Sequence, residues 1–280
     1  MANIGATTAF YKVETSLTRA NNEVSKSMER LATGRQNANA GDRSSYVAMA
    51  DTFRLDYVGT KAGIKGASVV MGYLETGMRV LDAASALLAR LQELAVLGAN
   101  ETNTTADAAA INAEAEAIGD EFDRLMSGST YKGKNVFVSS AGSEYVSLGG
   151  RDAEMTFGIA TITYTELHDG NNDSTTDLAH LASAGASSAT NTLTQDIEAV
   201  QKKINTACVQ AGSQYAALES AVAYTTDLTA QYELGYNTVN DVNFSMETAH
   251  LAKNQILQQA ATAMLAQANQ GQQGLLQLLQ

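Results

Sequence analysis

The chain has 280 residues, enough for one or two domains, and its hydrophobic content of 45% argues against wholesale disorder. Its formal charge is −12 and no stripe of Lys and Arg offsets it, so a phosphate backbone would be repelled and nucleic acid is not an expected partner. Pro and Trp are absent and there is one cysteine, which excludes an intramolecular disulfide and removes the main obstacle to long helices.

The opening MANIGATTAFYKVETSLTR has no basic stretch leading into an apolar run, so no cleaved secretory signal is expected. From Phe10 the apolar residues recur as Phe10, Val13, Leu17, Ala20, Val24, Met28 and Leu31, steps of three and four that mark one helix face close to a heptad seam. The pattern stops at Gly34, and ATGRQNANAGDRSS reads as a polar connector. A second periodic run starts near Tyr46 and continues through Ile64, Ala67, Met71, Leu74, Met78, Leu81, Ala84, Leu88, Leu91 and Ala95. Roughly fifty residues at 1.5 Å each would span about 75 Å, and periodicity sustained that far argues for coiled-coil packing. The stretch GANETNTTAD ends it. Thr104 and Asp107 then form a capping box for a helix carrying Ile111, Ala115, Ile118, Phe122 and Leu125.

After Ser127 the character changes. KNVFVSS, EYVSL, AEMTF and TITYT are short β-branched and aromatic runs split by turn residues, as in hairpins. Residues 166–189 are small and polar and are expected to form an exposed loop. A last long helix carries Leu193, Ile197, Val200, Ile204, Cys208, Ala211, Tyr215, Leu218 and Val222, with Cys208 a small core residue rather than a nucleophile. ELGYNTVNDVN is expected to interrupt it. The tail from Asn254 to Gln280 carries no charge but many amides, which suits a protein interface better than lipid.

The order is symmetric: short helix, connector and long helix lead in, and the reverse leads out. The expected fold is mainly α, a long antiparallel coiled-coil helical rod with paired N- and C-terminal helices and a small β-hairpin region. Terminal helices are assigned to 1–33 and 245–280, connectors to 34–45 and 235–244, and the helical rod with its hairpins to 46–165 and 190–234.

No catalytic chemistry is expected. There is no HExxH, His168, His180 and His250 are isolated, and neither a nucleophile elbow nor a phosphate-binding loop occurs. Asp169, Asn171 and Asp173 hold positions one, three and five of a calcium-loop pattern. Ser174 replaces its turn glycine, however, and His180 stands where a bidentate Glu belongs, so a solvated loop is the better reading. No cofactor or metal is expected.

ILQQAATAMLAQANQ from Ile256 to Gln270, with Glu247 upstream, is close to the C-terminal motif of bacterial flagellins. LQELAVLGANETNT from Leu91 and YKGKNVF from Tyr131 resemble family segments in the same order. LATGRQNANAGDRSS matches more loosely through Leu31, Gly34, Ala40 and Asp42. The resemblance covers nearly the whole chain and implies a short form with the variable outer domain almost missing.

It also implies a structural filament subunit, exported unfolded through the flagellar type III channel to the extracellular flagellum. Implied partners are further copies of itself, an export chaperone, and the cap and hook-junction proteins. Neighbouring copies would bury Phe10, Val13, Leu17, Val24, Leu31, Leu257, Met264, Leu275 and Leu278 as an inter-subunit core, and both ends would become helical only on polymerising. By alignment with members recognised by the Toll-like receptor for flagellin, Arg90, Leu94 and Glu114 are candidate receptor contacts. A hook–filament junction protein, or another secreted coiled-coil protein, is the alternative reading.

Overall fold

A computed structural model of the chain describes residues 8–39, 41–149, 153–164, 167 and 186–278. The described residues form five helices: α1 (Thr8–Thr33), α2 (Ser44–Gly98), α3 (Thr105–Gly128), α4 (Ala186–Asn240) and α5 (Phe244–Leu278). The mainly helical architecture follows the periodicity read from the sequence. No helix among the described residues is long and apolar enough to cross a membrane. The chain divides into two compact units, Val58–Thr229 in the middle and a second formed by both ends, Met1–Tyr57 with Ala230–Gln280.

In the unit of the two ends, α1 and α5 run antiparallel, since Gln258 donates to Asn21 at 2.6 Å while Arg30 lies 3.7 Å from Glu247. The α1 seam is stricter than the one read from sequence. Ser27 is 3% exposed and Met28 is 56% exposed, so Met28 leaves the expected seam. Alternate steps of four and three through Val13, Leu17, Ala20, Val24, Ser27 and Leu31 keep one narrow face toward the partner, and Met28 falls one position round the helix.

Gly34 adopts φ +69° just past the last turn of α1, and its N–H donates to the Arg30 carbonyl at 2.8 Å, a left-handed stop that suits glycine. Beyond it the two connectors pair, with Gln36 N donating to Asn240 O at 2.7 Å and Arg35 bridging Asp241. Lys26 meets Asp42 at 2.5 Å and holds that carboxyl below its ordinary range.

The interruption expected over 235–244 is mostly absent: α4 runs to Asn240 and only three residues separate it from α5. The reason is a tertiary partner. A Cβ on Gly235 would sit 3.1 Å from the Phe53 ring, so the glycine that weakens the helix locally also lets α2 lie against it.

In the middle unit, the largest buried side chains are Leu74, Leu81, Leu88, Leu91 and Leu94 of α2 with Val200, Ile204 and Leu218 of α4, joined by Phe122 and Met126 of α3. α2 and α4 run antiparallel here as well, because Ser85 donates to Gln201 at 3.0 Å and Gln92 to Thr194 at 3.0 Å. Cys208 is half-buried, and burial with Asp82 nearby pushes its thiol pKa up, as befits a packing residue.

Among the described residues six short strands close this core: β1 (Thr130–Tyr131), β2 (Lys134–Asn135), β3 (Phe137–Val138), β4 (Glu144–Ser147), β5 (Glu154–Phe157) and β6 (Ile159–Ala160). β1–β2 and β4–β5 are antiparallel, the first turning through positive φ at Lys132 and Gly133. The third pair, β3–β6, is parallel rather than a hairpin, because the β4–β5 excursion returns the chain in its original direction.

The described part of TITYT, residues 161–164, is not a strand. Thr161 N still donates to Val138 O at 2.8 Å, but Tyr164 then turns to α3, where its ring stands edge-on to Phe122 at 5.1 Å and its hydroxyl donates to Asp123. Gln214 of α4 grips the corner before β6, accepting from Gly158 N at 2.9 Å and donating to Gly158 O at 3.2 Å. Of the expected loop 166–189, residue 166 and residues 168–185 lie outside the described residues, and the calcium-pattern positions with them. Leu167 belongs to the core, and α4 has begun by Ala186.

The capping box is present as read: Thr104 Oγ1 accepts from Asp107 N at 3.3 Å and Asp107 accepts from Thr104 N at 2.9 Å. Thr104→Ala should cost about 1 kcal/mol, measured by thermal unfolding. Hydrogen bonds from Thr104 hold the Asp107 carboxyl below its ordinary value. That contribution is therefore present above the unfolded carboxylate pKa near 4 and lost as pH falls through the lower folded value. The gap between parent and Thr104→Ala should narrow in that acid window, and a gap constant down to pH 2 would assign the loss to the hydroxyl alone.

Candidate assembly surface

The end unit leaves much of its apolar surface uncovered. α5 carries Ile256, Leu257 and Met264 exposed, with Met264 at 55% and only Ala260, Ala261, Gln267 and Ala268 three and four residues away on the helix. Leu257 and Met264 also line a groove of about 530 Å³ between α1 and α5, together with Val13, Ala20 and Ala261 and the polar side chains of Lys12, Arg19 and Glu23. Among the described residues, only small side chains, Ala20, Ser27 and Ala261, are buried where the helices meet, so the pair is closely approached but thinly packed.

Of the residues read as inter-subunit core, the structure brings Val13, Leu257 and Met264 together along this groove. Leu17, Val24 and Leu31 are half-buried on α1. The side chains of Phe10, Leu275 and Leu278 lie outside the described residues. The sequence reading leaves out Ser27 and Ala261, and the strict heptad step from Ala20 leads to the first.

The receptor-contact trio does not assemble on the surface. Leu94 is 1% exposed and belongs to the core of the middle unit. Its position follows from the helix repeat, since it shares the α2 face of Leu91 and Ala95. Arg90 is exposed but engaged by Glu93 and Glu114, each at 2.6 Å, so the triad offers an ion-pair network without an apolar anchor.

Charge is divided unevenly between the units. The end unit has eight Lys and Arg against nine Asp and Glu, net −1, and the middle unit ten against twenty-one, net −11. A nearly neutral surface can be desolvated against neighbours at modest cost, whereas the acidic one favours water. Among the described residues no group of His, Cys, Asp and Glu is arranged to hold a metal ion.

Two family models match the sequence, the bacterial flagellin N-terminal helical region over residues 5–141 and the C-terminal helical region over 194–279. Among curated relatives, a flagellin of Halalkalibacterium halodurans is 25% identical, with 92% of each chain covered. Flagellin FlaB1 of Treponema pallidum is 26% identical and the flagellar filament 33 kDa core protein of Treponema phagedenis 28%, each over 94% of both chains. Helical ends that pair with each other, an uncovered apolar groove and these matches agree: the chain belongs to the bacterial flagellin family.

Proposed function

We propose that the chain is the repeating structural subunit of an extracellular flagellar filament, polymerising through α1 and α5. The observation that carries this reading is the largely apolar groove between those helices, lined in part by exposed Leu257 and Met264, on a unit of net charge −1. Burying each such side chain between copies contributes about 1.5–3 kcal/mol, repeated at every subunit. In this reading 1–33 and 245–280 form the inner filament core, and 166–189 replaces a variable outer domain. Export proceeds unfolded, helped by the absence of disulfides and of slow prolyl isomerisation. An export chaperone, cap and hook-junction proteins complete the partner set. Receptor recognition at Arg90 and Glu114 lacks its third member while Leu94 stays buried.

Electron microscopy of purified, concentrated chain should show micrometre-long filaments; short rods or none would point to a junction role. Because the middle unit carries −11, copies repel within a screening length of about 10 Å at 0.1 M salt, so filaments should melt higher there than in very dilute buffer. A melting temperature that falls steadily as salt rises from near zero would reverse the sign of this argument.

A further inference from the structure

The methionines among the described residues sort by unit. In the middle unit Met126 is buried, and Met71, Met78 and Met155 are half-buried against the core. In the unit of the two ends Met28, Met49, Met246 and Met264 are all exposed, between 49% and 60%. A thioether open to solvent is open to a peroxide, so an oxidant meets the end unit first. Of these four, Met264 alone lines the largely apolar groove between α1 and α5. Met246 lines a polar cavity with Arg30, Asp241 and His250, where an added oxygen changes the surroundings little.

Resting on the reading of the chain as a filament subunit, we infer that Met264 is an oxidation site that decides whether a free subunit can polymerise. The sulfur lone pair attacks one oxygen of hydrogen peroxide, and the S–O bond forms as the O–O bond breaks. The departing hydroxide takes the proton of the sulfur-bound oxygen and leaves as water. Sulfur is oxidised by two electrons to the sulfoxide, and the peroxide is reduced. A flexible apolar side chain that neighbouring copies cover becomes a polar one with an acceptor oxygen. Lys12 lines the same groove, and its ammonium can donate to that oxygen. A neighbour must then strip this bond and the hydration of the sulfoxide before covering it, which opposes assembly. The order of events matters. Oxidation before polymerisation blocks the contact, whereas a subunit already in the polymer has Met264 covered and escapes it.

The test compares the critical concentration for polymerisation before and after hydrogen peroxide acts on the unassembled full chain. Peptide mass spectrometry should find one added oxygen on Met28, Met49, Met246 and Met264, and far less on Met71, Met78, Met126 and Met155. The treated parent should need about ten times its untreated concentration, because a buried apolar side chain is lost from the contact. Methionine sulfoxide reductase with a dithiol should reverse the rise. Met264→Leu should show no rise on treatment. The chain with Met28→Leu, Met49→Leu and Met246→Leu keeps Met264 and should show the parent's rise, which reads the same residue even where Met264→Leu assembles poorly.

Circular dichroism checks that each variant keeps its helices. A parent fully oxidised at Met264 whose critical concentration is unchanged overturns the inference. So does an equal rise in Met264→Leu, a triple variant that no longer responds, or equal conversion of Met264 in free chain and polymer. Filaments of untreated parent leave the subunit reading intact in each of these cases. An untreated parent that forms no polymer overturns both.

Discussion

Gly149→Ala should destabilise the middle unit by about 3 kcal/mol or more, a loss visible as a thermal transition roughly 6–12 °C lower at 2–4 °C per kcal/mol for a unit of this size. Two costs coincide at that residue. Gly149 holds φ +76°, where a side chain costs about 1–2 kcal/mol. Its added Cβ would also drive into the Gly59 carbonyl and lie 2.8 Å from Thr60 N. Those are backbone atoms of α2 and cannot rotate away.

The contact is reciprocal: a Cβ on Gly59 would meet Gly149 O at 2.7 Å, and one on Gly63 would collide with the Leu148 carbonyl. Gly212→Ala serves as the control, since nothing lies within 4 Å of its Cβ in the interior of α4. It should gain about 0.5–1 kcal/mol from helix propensity. Equal stability of the two variants would mean that the α2 backbone yields at the turn.

Removing Asn254–Gln280 should abolish filament formation while leaving the middle unit folded, its far-ultraviolet helical signal reduced only by the lost segment. α5 has little but α1 to lie against, and what they share is small: Ala20, Ser27 and Ala261 are buried, while Ile256, Leu257 and Met264 face outward. Ordering each residue costs roughly 1–2 kcal/mol of backbone entropy, and helix stability in proteins comes mostly from tertiary packing, which is thin here. The balance shifts when neighbouring copies cover the outward side chains. Amide hydrogen exchange should therefore find both ends weakly protected in the free monomer and strongly protected in the filament. Strong protection of both ends before assembly would count against folding on polymerisation, whatever the deletion does.

The sequence made the long-range helical organisation readable because its signal is local and repeated. Leu74, Leu81 and Leu88 recur at sevens, and all three are buried. Thr104 and Asp107 announced a helix start through a spacing that only their mutual hydrogen bonds require. Misreadings arose where the deciding partner was distant in sequence. Gly235 looked like a break until Phe53 supplied a reason for helix to continue there. TITYT had strand composition, but Phe122 and Asp123 draw Tyr164 off to α3. Family resemblance implies a surface contact at Leu94, whereas its own periodicity places it inward. The groove was half legible: its apolar members stood in the pattern, whereas the buried Ser27 was hidden by the more hydrophobic Met28 beside it.

The grip of Gln214 on Gly158 carries an implication for chemical ageing. The side-chain amide donates to and accepts from one residue's backbone, imitating the edge of a strand. Hydrolysis of that amide to a carboxylate removes the donor and sets a negative charge against the Gly158 carbonyl. A long-lived subunit locked in a polymer has no opportunity to refold around such a lesion. Slow deamidation at Gln214 would loosen the corner before β6 from α4 with no change in chain length and almost none in mass.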